Sequence, residues 1–315
     1  MIVVTGGAGF IGSNLVRALN ARGRDDILVV DDLEQGDKFR NLVGAKIADY
    51  VDHEDFLQVI GRDDALVQQI EAVMHQGACS DTTVRDGRYM MRRNYTYSKE
   101  MFGLAQRIGV PLIYASSAAV YGGQRRFVEA LDCEAPLNVY GWSKLLFDNW
   151  VRRHRVLNGQ VVGLRYFNVY GPGENHKGKM ASVALHFHQQ LLKTGQVRLF
   201  EGTDGYGDGE QRRDFVHVDD VVAVNLWFLD HSERSGIFNV GTGQCASFND
   251  VARAVIRFHG AGEIVYMPMP DVLRGCYQSF TEADLTRLRS DGGYEASFKS
   301  IDDGIHAYLT SVMAS

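Results

Sequence analysis

The first dozen residues, MIVVTGGAGFIG, limit what this chain can fold into more than any other stretch. Ile2, Val3 and Val4 form an apolar run with β-branched types. It is too short for a helix and suits a strand buried on both faces. Thr5 opens a turn containing Gly6, Gly7, Gly9 and Gly12, and Phe10, Ile11, Leu15, Val16 and Leu19 follow at helical spacing. The prediction is strand, glycine turn, helix. Gly6 permits the tight turn, Gly9 lets backbone approach a pyrophosphate, and Gly12 lets the helix sit close to the sheet. The helix N-terminus then offers N–H groups to phosphates. A glycine turn that holds no ligand is the alternative, but the placement between strand and helix favours dinucleotide binding.

Residues 27–30, 47–50, 71–75, 111–115 and 161–166 read as further strands, and helices are expected at 54–60, 89–108 and from Tyr140 through Val151. This alternation predicts an α/β fold, a Rossmann-type doubly wound parallel sheet with a smaller C-terminal substrate-binding lobe. The expected division is residues 1–167 with returning segments about 214–240, and a lobe spanning mainly 168–315. A helical stretch at 181–192, a helix at 221–229 and a short strand and turn at 238–241 complete the pattern.

The formal net charge of −6 argues against nucleic acid as the main partner. No apolar run approaches a membrane span, and the N-terminus reads as a strand, not a signal peptide. Cys79, Cys133, Cys245 and Cys276 are scattered without a CxxC pair. That usage suits reduced thiols in a cytoplasmic protein and suggests no metal site.

Asp31 lies 19 residues after Gly12, where an acid can accept bonds from a ribose 2′-hydroxyl, which by itself favours NAD. Lys38 either offsets this charge or is a solvated loop lysine. Gln76, Gly77, Ala78, Cys79 and Ser80 end a strand with mostly small residues and leave space for a cofactor, with His75 packed beneath them. Asn94, inside a helix, either ties strand ends together or is exposed, and is counted with the cofactor-binding residues. Chemistry concentrates at Ser117, Tyr140 and Lys144. Tyr140 and Lys144 are four apart and share a helix face. A neighbouring ammonium lowers a phenol pKa from about 10, so the tyrosine can exchange a proton with a substrate hydroxyl. Ser117, at a strand end, can bond the same oxygen. The basic turn His176–Met180 meets a phosphate or sugar hydroxyl, or is simply solvated. Arg213 can pair with a diphosphate bidentately, while Asp219 and Asp220 suit a helix cap. Residues 202–209 read as a mobile surface loop, and 264–278, with Arg274 and Tyr277, as a segment that can close over a nucleotide.

Together TGGAGFIG, the Ser117–Tyr140–Lys144 set and RYFNVYGP resemble the extended short-chain dehydrogenase/reductase family over the whole chain. QGACSDTT, YASSAAVYGG, PLNVYGWSK, ENHKGKMASVA, LFEG and RRDFVHVDDV resemble, more narrowly, its branch acting on an ADP-linked heptose. That resemblance implies epimerisation at C6″, in lipopolysaccharide core precursor synthesis, by hydride removal and return through bound NADP, with NAD as the alternative cofactor. It implies Tyr140 and Lys177 as acid/bases for opposite faces of the sugar, Lys144 orienting the cofactor ribose and tuning Tyr140, and Ser117 bonding the reacting oxygen. It places cofactor contacts at Phe10, Ile11, Asp31, Asp32, Lys38, Gln76, Gly77, Ala78, Cys79, Ser80, Lys144, Val169 and Lys177. Substrate contacts map to Asn168, Lys179, His186, Phe200, Glu201, Gly202, Thr203, Arg213 and Tyr277, besides Ser117. His53 stands where the family's cofactor region can carry a second lysine, and an imidazole compensates a 2′-phosphate less well. Lys179 stands where a serine can occur, and the loop 203–211 is longer than usual. A homo-oligomer, a pentamer, is implied as well. The rival readings are a UDP-sugar 4-epimerase, which needs no base at Lys177, and a non-catalytic dinucleotide sensor. A sugar 4,6-dehydratase would need acids where Ala118 and Ala119 stand.

Overall fold

The structure, a computed structural model, describes residues 1–62, 64–154, 156–270 and 278–314. Its centre is a seven-stranded sheet made of β1 (Ile2–Thr5), β2 (Ile27–Asp31), β3 (Asp49–Asp52), β4 (Ala72–His75), β5 (Leu112–Ser117), β6 (Val161–Tyr166) and β7 (Gly236–Val240). Every pairing is parallel, and the spatial order is β7-β6-β5-β4-β1-β2-β3. Ile2 pairs with Ile27 on one side and Ala72 on the other, so successive strands leave β1 in opposite directions. The carboxyl ends of β1 and β4 therefore flank the crevice where doubly wound sheets take ligands.

All of β1, β2 and β6 is buried, as parallel strands covered by helices on both faces must be. Period-two alternation divides β1 between two cores. Ile2 and Val4 pack with Leu15, Val16 and Leu19 of α1 (Phe10–Ala21), and Val3 packs with Phe56, Met101 and Phe102 on the other side. The second core also holds α2 (Tyr97–Ile108) and α3 (Val139–Arg153), the latter through Phe147. Burying each large apolar side chain contributes about 1.5–3 kcal/mol. A third core gathers Leu185 and Phe187 of α4 (Val183–Thr194), Val251 and Val255 of α6 (Phe248–His259), and Ile305 and Leu309 of α7 (Ile301–Met313) around the strand Gln196–Phe200. Between them, α5 (Val218–Asp230) packs beside α1 through Val221, Val224 and Phe228, bringing residues after the first six strands back to the main sheet.

Four expectations shift. Strand β3 begins at Asp49 rather than residue 47, because an edge strand needs no continuous apolar run and pairs through backbone alone. Strand β5 runs on through Ser117, so both serines belong to the strand. The single helix expected over 89–108 changes geometry at a π-helical turn, Met91–Thr96, which contains the buried Asn94. The segment 264–278 is a strand at its start, Glu263–Met267, paired with Gln196–Phe200. Arg274 and Tyr277 lie outside the described residues.

Candidate active site

The glycine turn is forced by close approach. Gly6 has φ +67°, donates its N–H to the Val30 carbonyl at 2.7 Å, and has backbone of Gln76 and Gly77 2.7–2.8 Å from where a Cβ would stand. A Cβ on Gly12 would lie 2.0 Å from the Gly6 carbonyl oxygen, so this glycine fits the helix onto the turn itself rather than onto the sheet. Gly9 begins α1 without a side-chain cap, which leaves first-turn N–H groups for a ligand. Gly12→Ala is expected to displace the turn, cost about 1–3 kcal/mol of stability, and strip pyridine nucleotide from the purified protein. Retention of nucleotide at the wild-type ratio, read spectroscopically, would count against the turn as the phosphate cradle.

A cavity of about 500 Å³ opens above this turn, a size typical of small-molecule sites. Gly6, Gly9, Phe10, Ile11, Gly12, Asp31, Asp32, Lys38, His53, Gln76, Gly77, Ala78, Cys79, Ser80, Ser117, Tyr140, Lys144, Val169 and Lys177 all line it. Residues from Gly6 to Lys177 thus converge on one hollow. Asn94 does not line it. Its side chain bonds both backbone groups of Cys79, the N–H at 2.8 Å and the carbonyl at 3.0 Å, and reaches Ser143 Oγ at 3.1 Å. It ties the end of β4 to α3, the first of the two alternatives. His75 is buried under the turn as expected, between Thr5 Oγ1 at 2.6 Å and Ser98 Oγ at 2.8 Å. Burial holds it neutral, its pKa pushed down to about 3.

At the far end of β2 the charges are closed into pairs. One Asp31 oxygen accepts the Ala8 N–H at 2.7 Å, and the other faces the Lys38 ammonium, which also reaches the Asp32 carbonyl at 2.8 Å. Burial opposes the Lys38 charge, but the two aspartates outweigh it and raise its pKa. Asp32 takes a second partner that sequence reading missed. The Arg93 guanidinium bonds both the Asp32 carboxylate and the His53 ring, and it lines the cavity. Arg93 sits on the π-helical turn, and no spacing rule links it to Asp32, 61 residues away.

At the catalytic end, Tyr140 and Ser117 face the same cavity. The Lys144 ammonium donates to the Ala115 carbonyl at 2.8 Å. Burial lowers the Lys144 pKa to about 8 against the opposing charge of Asp148. The expected depression of Tyr140 by Lys144 is not what this arrangement produces. Burial pushes the Tyr140 phenol up, and the neighbouring Ser117 hydroxyl works against that rise. The Lys177 ammonium comes from the turn Asn175–Met180 and stands 5.3 Å from the Phe10 ring centre. Its pKa is lowered by burial, opposed by Glu174.

The other expected substrate contacts among the described residues, which exclude Tyr277, lie outside the cavity lining. Lys179 is exposed on the turn that carries Lys177, His186 is half-buried on α4, and Phe200, Glu201, Gly202 and Thr203 end the strand Gln196–Phe200 and begin the loop after it. Several are tied together: Gln211 Nε2 donates to the Glu201 carbonyl at 3.1 Å and to Thr203 Oγ1 at 3.3 Å. The buried Arg213 follows two residues on, and the exposed Asn168 donates its N–H to the Asp214 carbonyl at 3.0 Å. The loop 202–209 folds back on α6, where Asn249 Nδ2 donates to the Asp208 carbonyl at 2.8 Å.

A parallel sheet with a glycine turn at its switch point, and a tyrosine, lysine and serine at one end of the cavity, define a nucleotide-dependent enzyme class. Residues 2–241 match the NAD dependent epimerase/dehydratase family, and the chain belongs to it. A curated relative from Alkalilimnicola ehrlichii, ADP-L-glycero-D-manno-heptose-6-epimerase, is 58% identical over 313 residues, covering 99% of this chain and 97% of the relative. The crystal structure of Helicobacter pylori ADP-L-glycero-D-manno-heptose-6-epimerase superposes with a TM-score of 0.87 at 33% identity, covering 100% of this chain and 96% of that one. Thermotoga maritima UDP-glucose 4-epimerase, solved with UDP-glucose, follows at TM-score 0.83 and 30% identity, covering 99% and 98%. Among the described residues no helix is long and apolar enough to cross a membrane.

Proposed function

We propose that this chain interconverts ADP-D-glycero- and ADP-L-glycero-β-D-manno-heptose by inverting C6″, with NADP as its resident cofactor. The observation that carries the reading is Lys177 in the same cavity as Ser117, Tyr140 and Lys144. A 4-epimerase needs no base there, and a dinucleotide sensor needs none of the four. The identity of 58% to a 6-epimerase supports the substrate. The uncapped start of α1 and the cradle that a Cβ at Gly6 or Gly12 would fill fit a dinucleotide pyrophosphate.

A bound nicotinamide would supply the hydride acceptor and donor for C6″, held over the glycine turn by Gly6, Gly9 and Gly12. The chain's residues do the rest. Tyr140 exchanges the proton with the 6″-oxygen on one face, best placed as the donor when the hydroxyl re-forms, with Ser117 holding the same oxygen. Lys177 does so for the opposite epimer. Lys144, lysine amine at a pKa of about 8, holds the ribose end and can accept or release a proton near neutral pH. The diphosphate falls to Arg213, with Asn168, Lys179, His186, the 200–203 stretch and Tyr277 around the nucleotide and sugar; the residues after 168 that are not in the main sheet form the substrate lobe. The protein works in the cytoplasm.

Incubation with ADP-D-glycero-heptose and proton NMR at C6″ tests this directly. Appearance of the L-glycero signal is expected; an unchanged spectrum with nucleotide-loaded protein refutes it. Lys38 is the cation on Asp31, so Lys38→Ala should leave that carboxylate unpaired facing a 2′-phosphate, with Asp32 still held by Arg93, and move preference towards NAD by about tenfold or more, equivalent to about 1.4 kcal/mol. Titration with NADP and NAD reads the ratio; an unchanged one removes Lys38 from cofactor choice.

A further inference from the structure

Glu174 is completely buried, does not line the cavity, and has no basic side chain as a partner among the described ion pairs. Burying an ionised carboxylate is costly unless donors surround it. The donors here come from both ends of one loop. Oε1 accepts the Gly171 N–H at 3.4 Å and the Ser182 hydroxyl at 2.6 Å, and Oε2 accepts the Ser182 N–H at 2.5 Å. Gly171 follows the strand Asn168–Tyr170, and Ser182 is the residue that caps α4. The loop between them carries Lys177. Its turn Asn175–Met180 opens with the Lys177 N–H on the Glu174 carbonyl at 2.9 Å, and it is kinked at Gly178, φ +51°. The opposite side of the loop is held to the cofactor turn. Asn14 donates to the Pro172 carbonyl at 2.8 Å, and Asn41 donates at 3.0 Å to both the Ala8 and Gly173 carbonyls. One carboxylate thus gathers the loop's two ends while two asparagines fix its flank.

We infer that Glu174 is the positioning residue for Lys177: its carboxylate closes the 171–182 loop and so sets where the Lys177 ammonium stands in the cavity. A cap for α4 alone would need only the Ser182 bonds, and the Gly171 bond adds nothing to a helix. The inference rests on the two-base reading above and names what makes the second base usable. It also gives a role to the first residue of the stretch ENHKGKMASVA, whose side chain does not line the cavity. Near-attack geometry is sensitive to small shifts, and a displacement of about 1 Å can cost on the order of 10²-fold.

The test separates the two half-reactions. Nucleotide-loaded enzyme is mixed with each heptose epimer separately, and the near-ultraviolet absorbance of reduced nicotinamide is followed in a single turnover. Glu174→Ala is expected to slow reduction by one epimer on the order of 10²-fold, the same epimer that Lys177→Met slows, while the other epimer stays within a few-fold. Glu174→Gln keeps the shape and some of the bonds, so its loss should be smaller and on the same epimer; it carries the test if the alanine variant does not fold. Backbone hydrogen exchange at residues 175–180 should rise in both variants. Equal slowing of both epimers, or of neither, overturns the positioning role. An asymmetric Lys177→Met beside symmetric Glu174 variants overturns this inference alone, and a symmetric Lys177→Met overturns the two-base reading with it.

Discussion

Tyr140→Phe is expected to lower epimerisation by about 10²–10⁴-fold, the range a positioned acid/base contributes, with little change in melting temperature. Among the described residues the phenol oxygen holds no hydrogen bond within the fold, and its ring remains in the variant. The structure adds a reason to expect the effect to be large. Burial raises the Tyr140 pKa, so the group sits protonated at neutral pH and serves best as the proton donor to a forming hydroxyl. Lys177 is held the other way, its ammonium destabilised by burial. Two groups whose environments push them apart in this sense form an acid and a base. Lys177→Met should match the loss, because each epimer needs both in turn. Near-wild-type turnover in both variants, measured by NMR, would end the two-base scheme.

Asp148→Ala should destabilise the protein by about 3–5 kcal/mol, the cost of removing one member of a buried charge network. Asp148 and Arg165 are both fully buried. The Arg165 Nε donates to the Asp148 carboxylate at 2.9 Å, and the same carboxylate accepts the Tyr114 hydroxyl at 2.9 Å and the Ser116 hydroxyl at 3.0 Å. Glu134 completes the set at 2.5 Å from Arg165 and 2.6 Å from Arg152. This network lies directly behind the reacting groups. Ser116 precedes Ser117, and Asp148 stands one helical turn beyond Lys144. Chemical denaturation should show a lower midpoint at an unchanged slope, and Asp148→Asn, which keeps the shape, should cost less. A loss below about 1 kcal/mol would mean the guanidinium finds water or another acid.

How much of this was legible follows from the range of each interaction. The first strand, turn and helix could be read because apolar runs, glycines and helical spacing act over a few residues. The family pattern carried the cofactor residues from Phe10 to Lys177, all but Asn94 of which line one cavity. Arg93 and Asp148 gave no such signal, and Arg165 and Glu174, which open the stretches RYFNVYGP and ENHKGKMASVA, gave none of what they hold. Each is an ordinary polar residue in a helix, strand or loop until its partner arrives from another segment. Asn94 was visible as an oddity inside a helix, yet only the fold decided that its amide would bracket Cys79. The charge tuning of Tyr140 was read in the wrong direction, because four-residue spacing places Lys144 nearby but cannot say that its ammonium turns to the Ala115 carbonyl.

The sequence by itself determined the α/β alternation, the glycine turn at the switch point and the residue types offered to cofactor and sugar, since these rest on local sterics and periodicity. The tertiary structure alone decided which charges are paired, which protons are held and where Lys177 stands. Desolvation and hydrogen bonding depend on what surrounds a group in space, and neighbours 60 or more residues away, such as Arg93 on Asp32, are brought together only by packing.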